Sequence, residues 1–174
     1  KRNESLKLPM LPTYISIDSL NPKDGIYLGV DLGGTNFRIS LVCFEDGIWN
    51  WIKEPLSIPI PAEIKNGSGH LLFEFIAIKI KHYVEGGEED ENVGNRKSKI
   101  PMGFTFSYPT RQTNINEGFL IEWAKDIKCN DVVGLEIVQL LQQKLNLIDC
   151  PVTLEALIND TVAAMMAYKL TIPN

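Results

Sequence analysis

Histidine and cysteine are scarce in this chain, with two and three copies in 174 residues. Cys43, Cys129 and Cys150 are odd in number and scattered, no Cys-x-x-Cys or Cys/His cluster occurs, and His70 and His82 fall within one expected helix. That argues against a structural metal site and a disulfide framework, and a reduced, cytoplasmic setting is expected. Excess positive charge is also missing. Lys and Arg number 17 against 22 Asp and Glu, for a net charge of −5, so no basic face invites nucleic acid. The basic Arg96-Lys97-Ser98-Lys99 directly follows an acidic run from Glu88 to Glu91 and reads as a solvated loop. No apolar run approaches the ~18–20 residues of a membrane span, and the polar first residues lack a signal-peptide core. No internal repeat is visible.

What is present is an ordinary globular composition, 44% hydrophobic and 22% charged. A chain near this size buries roughly 70% of its unfolded surface. The most informative segment is Asp31-Leu32-Gly33-Gly34-Thr35-Asn36-Phe37-Arg38, set between two apolar runs, Ile26–Val30 and Ile39–Phe44. An acid ending a strand, two glycines, two short polar residues and a return strand make a hairpin suited to a phosphate. The glycines allow positive φ and close backbone approach to a ligand. Thr35 and Asn36 offer donors. Asp31 is a hard oxygen ligand for Mg²⁺, directly or through water. The plainer alternative is a β-hairpin with a Gly-Gly turn. The segment is neither a dinucleotide fingerprint nor a Walker loop, because it lacks both G-x-G-x-x-G and Gly-Lys-Ser/Thr.

Residues 1–24 are Pro-rich and irregular. Residues 26–33, 36–44 and 47–58 read as three strands joined by tight turns, the second at Glu45-Asp46-Gly47. Trp49 and Trp51 on the third strand read as packing residues rather than a ligand platform. A helix over about 70–84 carries an apolar stripe from Leu71 to Val84. A charged, glycine-bearing loop follows from Glu85 to Lys99, expected to lack fixed structure. Then come a strand over 100–107, ended by Pro109, a strand over 118–124, a helix over 133–145, a strand over 151–158 and a last helix from near Thr161. Asn159 or Asp160 would cap that helix. This is an α/β pattern.

The hairpin resembles the first phosphate motif of the sugar kinase, Hsp70 and actin superfamily, in its hexokinase and glucokinase form. Three further segments follow in that family's order. Gly103-Phe104-Thr105-Phe106-Ser107-Tyr108-Pro109 is similar to the sugar-binding segment. Gly118 to Lys125 is similar to the strand supplying a sugar-contacting Thr-Lys pair. Ile158-Asn159-Asp160-Thr161-Val162-Ala163-Ala164 resembles the segment with the catalytic aspartate. Met10-Leu11-Pro12-Thr13-Tyr14-Ile15 resembles the stretch leading into the first strand.

The resemblance implies an RNase H-like (actin-like ATPase) βββαβαβα small lobe over 25–157. An N-terminal extension over 1–24 would precede it, and the beginning of a large lobe over 158–174 would follow. It implies ATP and Mg²⁺ as cofactors and transfer of the γ-phosphoryl to the 6-hydroxyl of a hexose, glucose being the implied one. Such transfer is mostly positioning and charge stabilisation. Asp160 would be the base. Asn159, Ser107 and the backbone at Tyr108 and Pro109 would hold the sugar, and Lys125 would contact it and neutralise charge on the phosphoryl. Asp31, Gly33, Gly34, Thr35, Asn36 and Arg38 would face the phosphates, with Asp31 holding Mg²⁺ through water. The plainer alternatives are a helix-capping Asp160, an exposed strand-end Lys125 and a salt-bridging Arg38.

The sequence departs from the family at one segment. Members usually read Trp-Thr-Lys-Gly-Phe where this chain reads Trp123-Ala124-Lys125-Asp126-Ile127. Ala124 lacks the hydroxyl, a net loss of about 0.5–1.5 kcal/mol per hydrogen bond, and Asp126 adds negative charge beside Lys125. These changes support an alternative, a weak or inactive hexokinase-like sugar sensor or regulator. A chaperone-like or actin-like ATPase is a third possibility, disfavoured by residues 103–109 and Asn159-Asp160. The large lobe's further motifs are missing from the 174 residues. The expectation is an N-terminal portion of a longer kinase, inactive alone, with an apolar docking surface at Val162, Met165, Met166 and Leu170.

Overall fold

The computed structural model describes residues 12–16, 22–86 and 98–171, with backbone only over 169–171. The loop expected over 85–99 and the extension over 1–24 therefore fall largely outside the described residues.

The strands are β1 (Gly25–Leu32), β2 (Asn36–Glu45), β3 (Ile48–Pro59), β4 (Ile100–Phe106), β5 (Thr110–Asn114), β6 (Glu117–Leu120) and β7 (Val152–Ile158). The helices are α1 (Ala62–Lys65), α2 (Gly69–Glu85), α3 (Ile137–Leu147) and α4 (Asp160–Thr171). Five strands form one sheet in the order β3-β2-β1-β4-β7. The first three pair antiparallel; β4 joins β1, and β7 joins β4, in parallel. That is the expected βββαβαβα arrangement.

Alternation places one side of each strand in a single core. Leu28, Val30 and Leu32 of β1, Phe37, Ile39 and Leu41 of β2, and Met102, Phe104 and Phe106 of β4 are all buried. The α2 stripe (Leu72, Phe73, Ile76, Ile80 and Val84) and the α3 stripe (Ile137, Leu141 and Leu145) belong to the same cluster. Period-2 strands and period-3.6 helices meeting on one side of a sheet are what such patterns dictate.

Both core helices are capped by distant or local acids. Ser68 Oγ accepts from the His70 amide, and Asp131 accepts from the Gly69 amide at 2.7 Å and from the Ser68 hydroxyl at 2.6 Å. Glu136 accepts from the Val138 and Gln139 amides, and also from Gly118 on β6, which ties that strand to α3.

Three expected elements need correction. The helix expected over 133–145 begins at Ile137, because Gly134 adopts φ +83° and Glu136 is the N-cap. The strand expected over 118–124 ends at Leu120 and pairs with β5 in a separate two-stranded sheet. Residues 121–129 are irregular, closed by Trp123 Nε1 donating to the Cys129 carbonyl. Finally, α1 (Ala62–Lys65) falls between the strand expected to end at 58 and the helix expected from 70, where no element was expected. Trp49 and Trp51 are both exposed, at 45% and 63%, although the Trp49 ring meets Tyr27 at 5.6 Å and Phe44 at 4.7 Å.

Candidate functional site

The parallel strands β1, β4 and β7 all point the same way, so their carboxyl ends gather at one edge of the sheet. Clefts in α/β proteins form at such edges. There the hairpin after β1, the loop after β4 and the β7–α4 junction come together.

A cleft of about 200 Å³ opens between the ends of β4 and β7. Its walls include Tyr108, Pro109, Thr110, Gln112, Asn159 and Val162, with Pro12 and Thr13 from the N-terminal segment. Of the expected sugar residues, Tyr108, Pro109 and Asn159 therefore line one cavity. Ser107 is next to it in sequence and half-buried, its amide donating to the Leu32 carbonyl at 3.4 Å. Asp160 is not among the residues that line the cleft; it directly follows Asn159, which is.

The β7–α4 junction settles which residue caps the helix. Asn159 is the cap: its carbonyl accepts from the Ala163 amide at 2.9 Å and its Oδ1 accepts from the Thr161 amide at 3.0 Å. Asp160 is the first helical residue, exposed, with Oδ1 accepting from the Thr161 amide at 2.8 Å. A carboxylate at a helix N-terminus is favoured by the helix dipole. One Asp160 oxygen is thus held by backbone, and the other accepts no hydrogen bond among the described residues.

The Asp31–Arg38 hairpin has a tight, defined register. Asp31 faces Arg38 and Leu32 faces Phe37, and the Gly33 amide donates to the Asn36 carbonyl at 3.1 Å. The Ile60 amide donates to the Thr35 carbonyl at 3.0 Å, pinning the loop to the end of β3. The glycines do not serve the purpose expected for φ. Positive-φ glycines among the described residues are Gly25, Gly47 and Gly134, not Gly33 or Gly34. Their reason is space. A Cβ on Gly34 would lie 2.9 Å from Lys125 Cβ and 3.1 Å from its Cδ, and one on Gly33 would lie 3.2 Å from the Asn36 carbonyl.

Lys125 consequently stands against the hairpin rather than at a strand end. It adopts φ +62°, a left-handed conformation uncommon outside glycine, and its Nζ lies 5.5 Å from the Tyr108 ring centroid. Arg38 Nη1 donates to Asp31 Oδ2 at 3.1 Å, so the salt-bridging alternative is realised, with the pair at the two ends of the Gly33-Gly34 hairpin. Ala124 is half-buried against the core beside Trp123.

Tyr108 joins these parts. Its hydroxyl donates to the Gly33 carbonyl at 2.8 Å, and its ring meets Trp123 at 4.8 Å and Phe106 at 5.0 Å. Burial holds its phenol well above the ordinary range, helped by the charges of Asp126, Cys129 and Asp31. Burial likewise pushes the Cys129 thiol up, with Asp131 adding to it.

The sequence reading missed Gln112. It is buried, lines the cleft, and donates from Nε2 to the Leu157 carbonyl at 2.6 Å. A glutamine flanked by Arg111 and Thr113 gives no sequence signal of burial. Among the described residues no cluster of three or more His, Cys, Asp or Glu could hold a metal ion. The single carboxylate of Asp31 nevertheless suits Mg²⁺, which keeps several waters and shares phosphate oxygens. A glycine hairpin with an adjacent lysine suits a polyphosphate. On α4, Val162 and Met166 are half-buried and Met165 is 55% exposed; the Leu170 side chain lies outside the described residues.

The hexokinase family model matches residues 1–170. The chain is 37% identical to hexokinase-3 of Oryza sativa subsp. japonica, covering 91% of this chain and 31% of that protein. It is 35% identical to the glucokinase of Aspergillus niger, over 98% of this chain and 37% of that one. Among solved structures, the hexokinase of Schistosoma mansoni complexed with glucose superposes with a TM-score of 0.78 at 32% identity, covering 94% of this chain and 35% of that chain. The chain thus spans about a third of the length of these relatives.

Proposed function

The chain belongs to the hexokinase family, and we propose that it is the small-lobe portion of an ATP-dependent hexose kinase that phosphorylates glucose at the 6-hydroxyl. The small lobe would comprise 25–157, preceded by the extension over 1–24 and followed by the start of the large lobe at 158–174. Activity would belong to the full-length protein, and the cytoplasm, where three thiols stay reduced, would be its setting. The observation that carries the reading is the meeting of Lys125, Gly34 and Tyr108 beside a cleft that Asn159 lines.

In this reading the cleft between Tyr108, Pro109 and Asn159 takes the hexose. Asp160, one oxygen fixed by the Thr161 amide, accepts the proton of the sugar hydroxyl with the other. Mg²⁺-bound ATP, when present, would supply the phosphoryl group. Asp31 would hold the metal through water, with Thr35 and Asn36 facing phosphate oxygens. Lys125, held against the hairpin, would place its ammonium where negative charge develops. Closure of two lobes would exclude water.

A second reading, a weak or inactive sugar sensor, is favoured by Ala124 and by Asp126, whose charge reaches the Tyr108 phenol. One experiment separates the two: a coupled assay of the full-length protein with glucose and Mg-ATP. Glucose-dependent ADP release at a turnover of about 1–100 s⁻¹, typical of kinases, is expected of the enzyme. Sugar binding by calorimetry without ADP release would mark the sensor.

A further inference from the structure

We infer that Tyr108 is a positioning residue that joins the hexose cleft to the phosphate hairpin, its hydroxyl setting the Gly33–Gly34 peptide for a nucleotide phosphate. This rests on the kinase reading above. Tyr108 is 2% exposed and contributes to the cleft beside Pro109, Thr110 and Asn159. Its hydroxyl crosses to the Gly33 carbonyl, 75 residues earlier in the chain, at 2.8 Å. Trp123 and Phe106 pack against the ring, at 4.8 and 5.0 Å between centroids.

The peptide geometry gives that hydrogen bond its consequence. In a trans peptide the carbonyl of one residue and the amide of the next point in opposite directions. Fixing the Gly33 carbonyl toward Tyr108 therefore aims the Gly34 amide away from it. That amide donates to no acceptor among the described residues, and free backbone amides in glycine loops are anion-binding groups. Two successive glycines are the pair least able to hold a peptide orientation unaided. Lys125, whose stem fills the space left by Gly34 and whose ammonium lies over the Tyr108 ring, belongs to the same assembly.

The test is Tyr108→Phe in the full-length protein, which removes one oxygen and keeps the ring. Calorimetric titrations with MgADP and, separately, with glucose read the two halves independently of turnover. The dissociation constant for MgADP should rise roughly three- to tenfold, the worth of one net hydrogen bond, while that for glucose changes less than about twofold. Equal MgADP affinities in parent and variant would overturn the inference. So would parallel losses for both ligands, the pattern of a merely structural tyrosine. A parent that binds MgADP without phosphorylating glucose would contradict the kinase reading and leave the Tyr108 comparison intact; one that binds no MgADP would overturn both.

Discussion

Arg38 and Asp31 oppose each other across the β1–β2 ladder, and their side chains are paired at 3.1 Å where the Gly33-Gly34 hairpin begins. The arginine is 67% exposed and the aspartate 34%. Such a pair is well screened and contributes about 0–1 kcal/mol to stability. Arg38→Ala should therefore leave the thermal midpoint nearly unchanged. If Arg38 moves from Asp31 to a phosphate when nucleotide binds, the same variant should raise KM for Mg-ATP severalfold and leave KM for glucose alone. An unchanged KM for Mg-ATP would limit Arg38 to the surface pair.

Gly34 packs directly against the Lys125 side chain. A Cβ there would press on Lys125 Cβ at 2.9 Å, an atom fixed to the backbone and unable to rotate away. Gly34→Ala should displace Lys125 and lower turnover by about tenfold or more, the usual sensitivity of transfer to small misplacement. Circular dichroism should report a folded protein. Wild-type turnover would show that Lys125 need not stand where it does.

Much of this arrangement was legible in the sequence. The Asp31–Arg38 hairpin and its strands follow from alternation, and the arrangement of the sheet and the β7–α4 junction follow from the family resemblance. What was not legible depended on distant contacts. The purpose of Gly34 is the Lys125 stem, which lies 91 positions later in the sequence. The β5–β6 hairpin has polar outward positions such as Arg111 and Thr113 and packs only through residues such as Gln112 and Leu120, so no clear period shows. The start of α3 was drawn too early because Val133 and Leu135 continue its apolar spacing, although both are exposed and Gly134 breaks the helix.

Ala124 lacks the hydroxyl that the family resemblance leads one to expect at its position. It is half-buried beside Trp123, one residue from the lysine at the hairpin. Ala124→Thr restores a hydroxyl and should tighten hexose binding by roughly tenfold, for about 1.4 kcal/mol, with ATP affinity unchanged. Calorimetry that finds no gain would indicate a differently wired sugar site.

Asp131 caps α2 from the far side of the chain. Its hydrogen bonds from Ser68 and from the Gly69 amide hold its carboxyl below the ordinary aspartate value. A depressed carboxyl contributes stability above its unfolded pKa, and that contribution fades as pH falls through the folded value. Stability should therefore decline in acid below about pH 4. Asp131→Ala should cost about 1 kcal/mol at neutral pH, as lost caps do, and flatten that acid decline. A denaturant titration that finds equal midpoints at pH 7 would contradict the capping role.

Gly118 lies where β6 meets β7. A Cβ there would collide with Leu157 Cδ2 and press on Thr110 Cγ2 at 2.8 Å. Gly118→Ala should destabilise the fold by about 1–3 kcal/mol, the usual cost of overpacking. It should also disturb the cleft that Thr110 and Leu157 line. Thermal unfolding at the parental midpoint would show that the hairpin can shift freely.

If Asp160, next to the cleft-lining Asn159 and with one oxygen held by the Thr161 amide, is the base of a hexose kinase, its removal must nearly stop turnover. The most direct measurement is the turnover number of Asp160→Ala in the full-length protein, by coupled assay with glucose and Mg-ATP. Removal of a general base costs about 10²–10⁴ in rate. A fall of that size, with the thermal midpoint and glucose affinity nearly kept, is the predicted result. A variant that retains more than about a tenth of the parental turnover, far outside that range, would contradict the account.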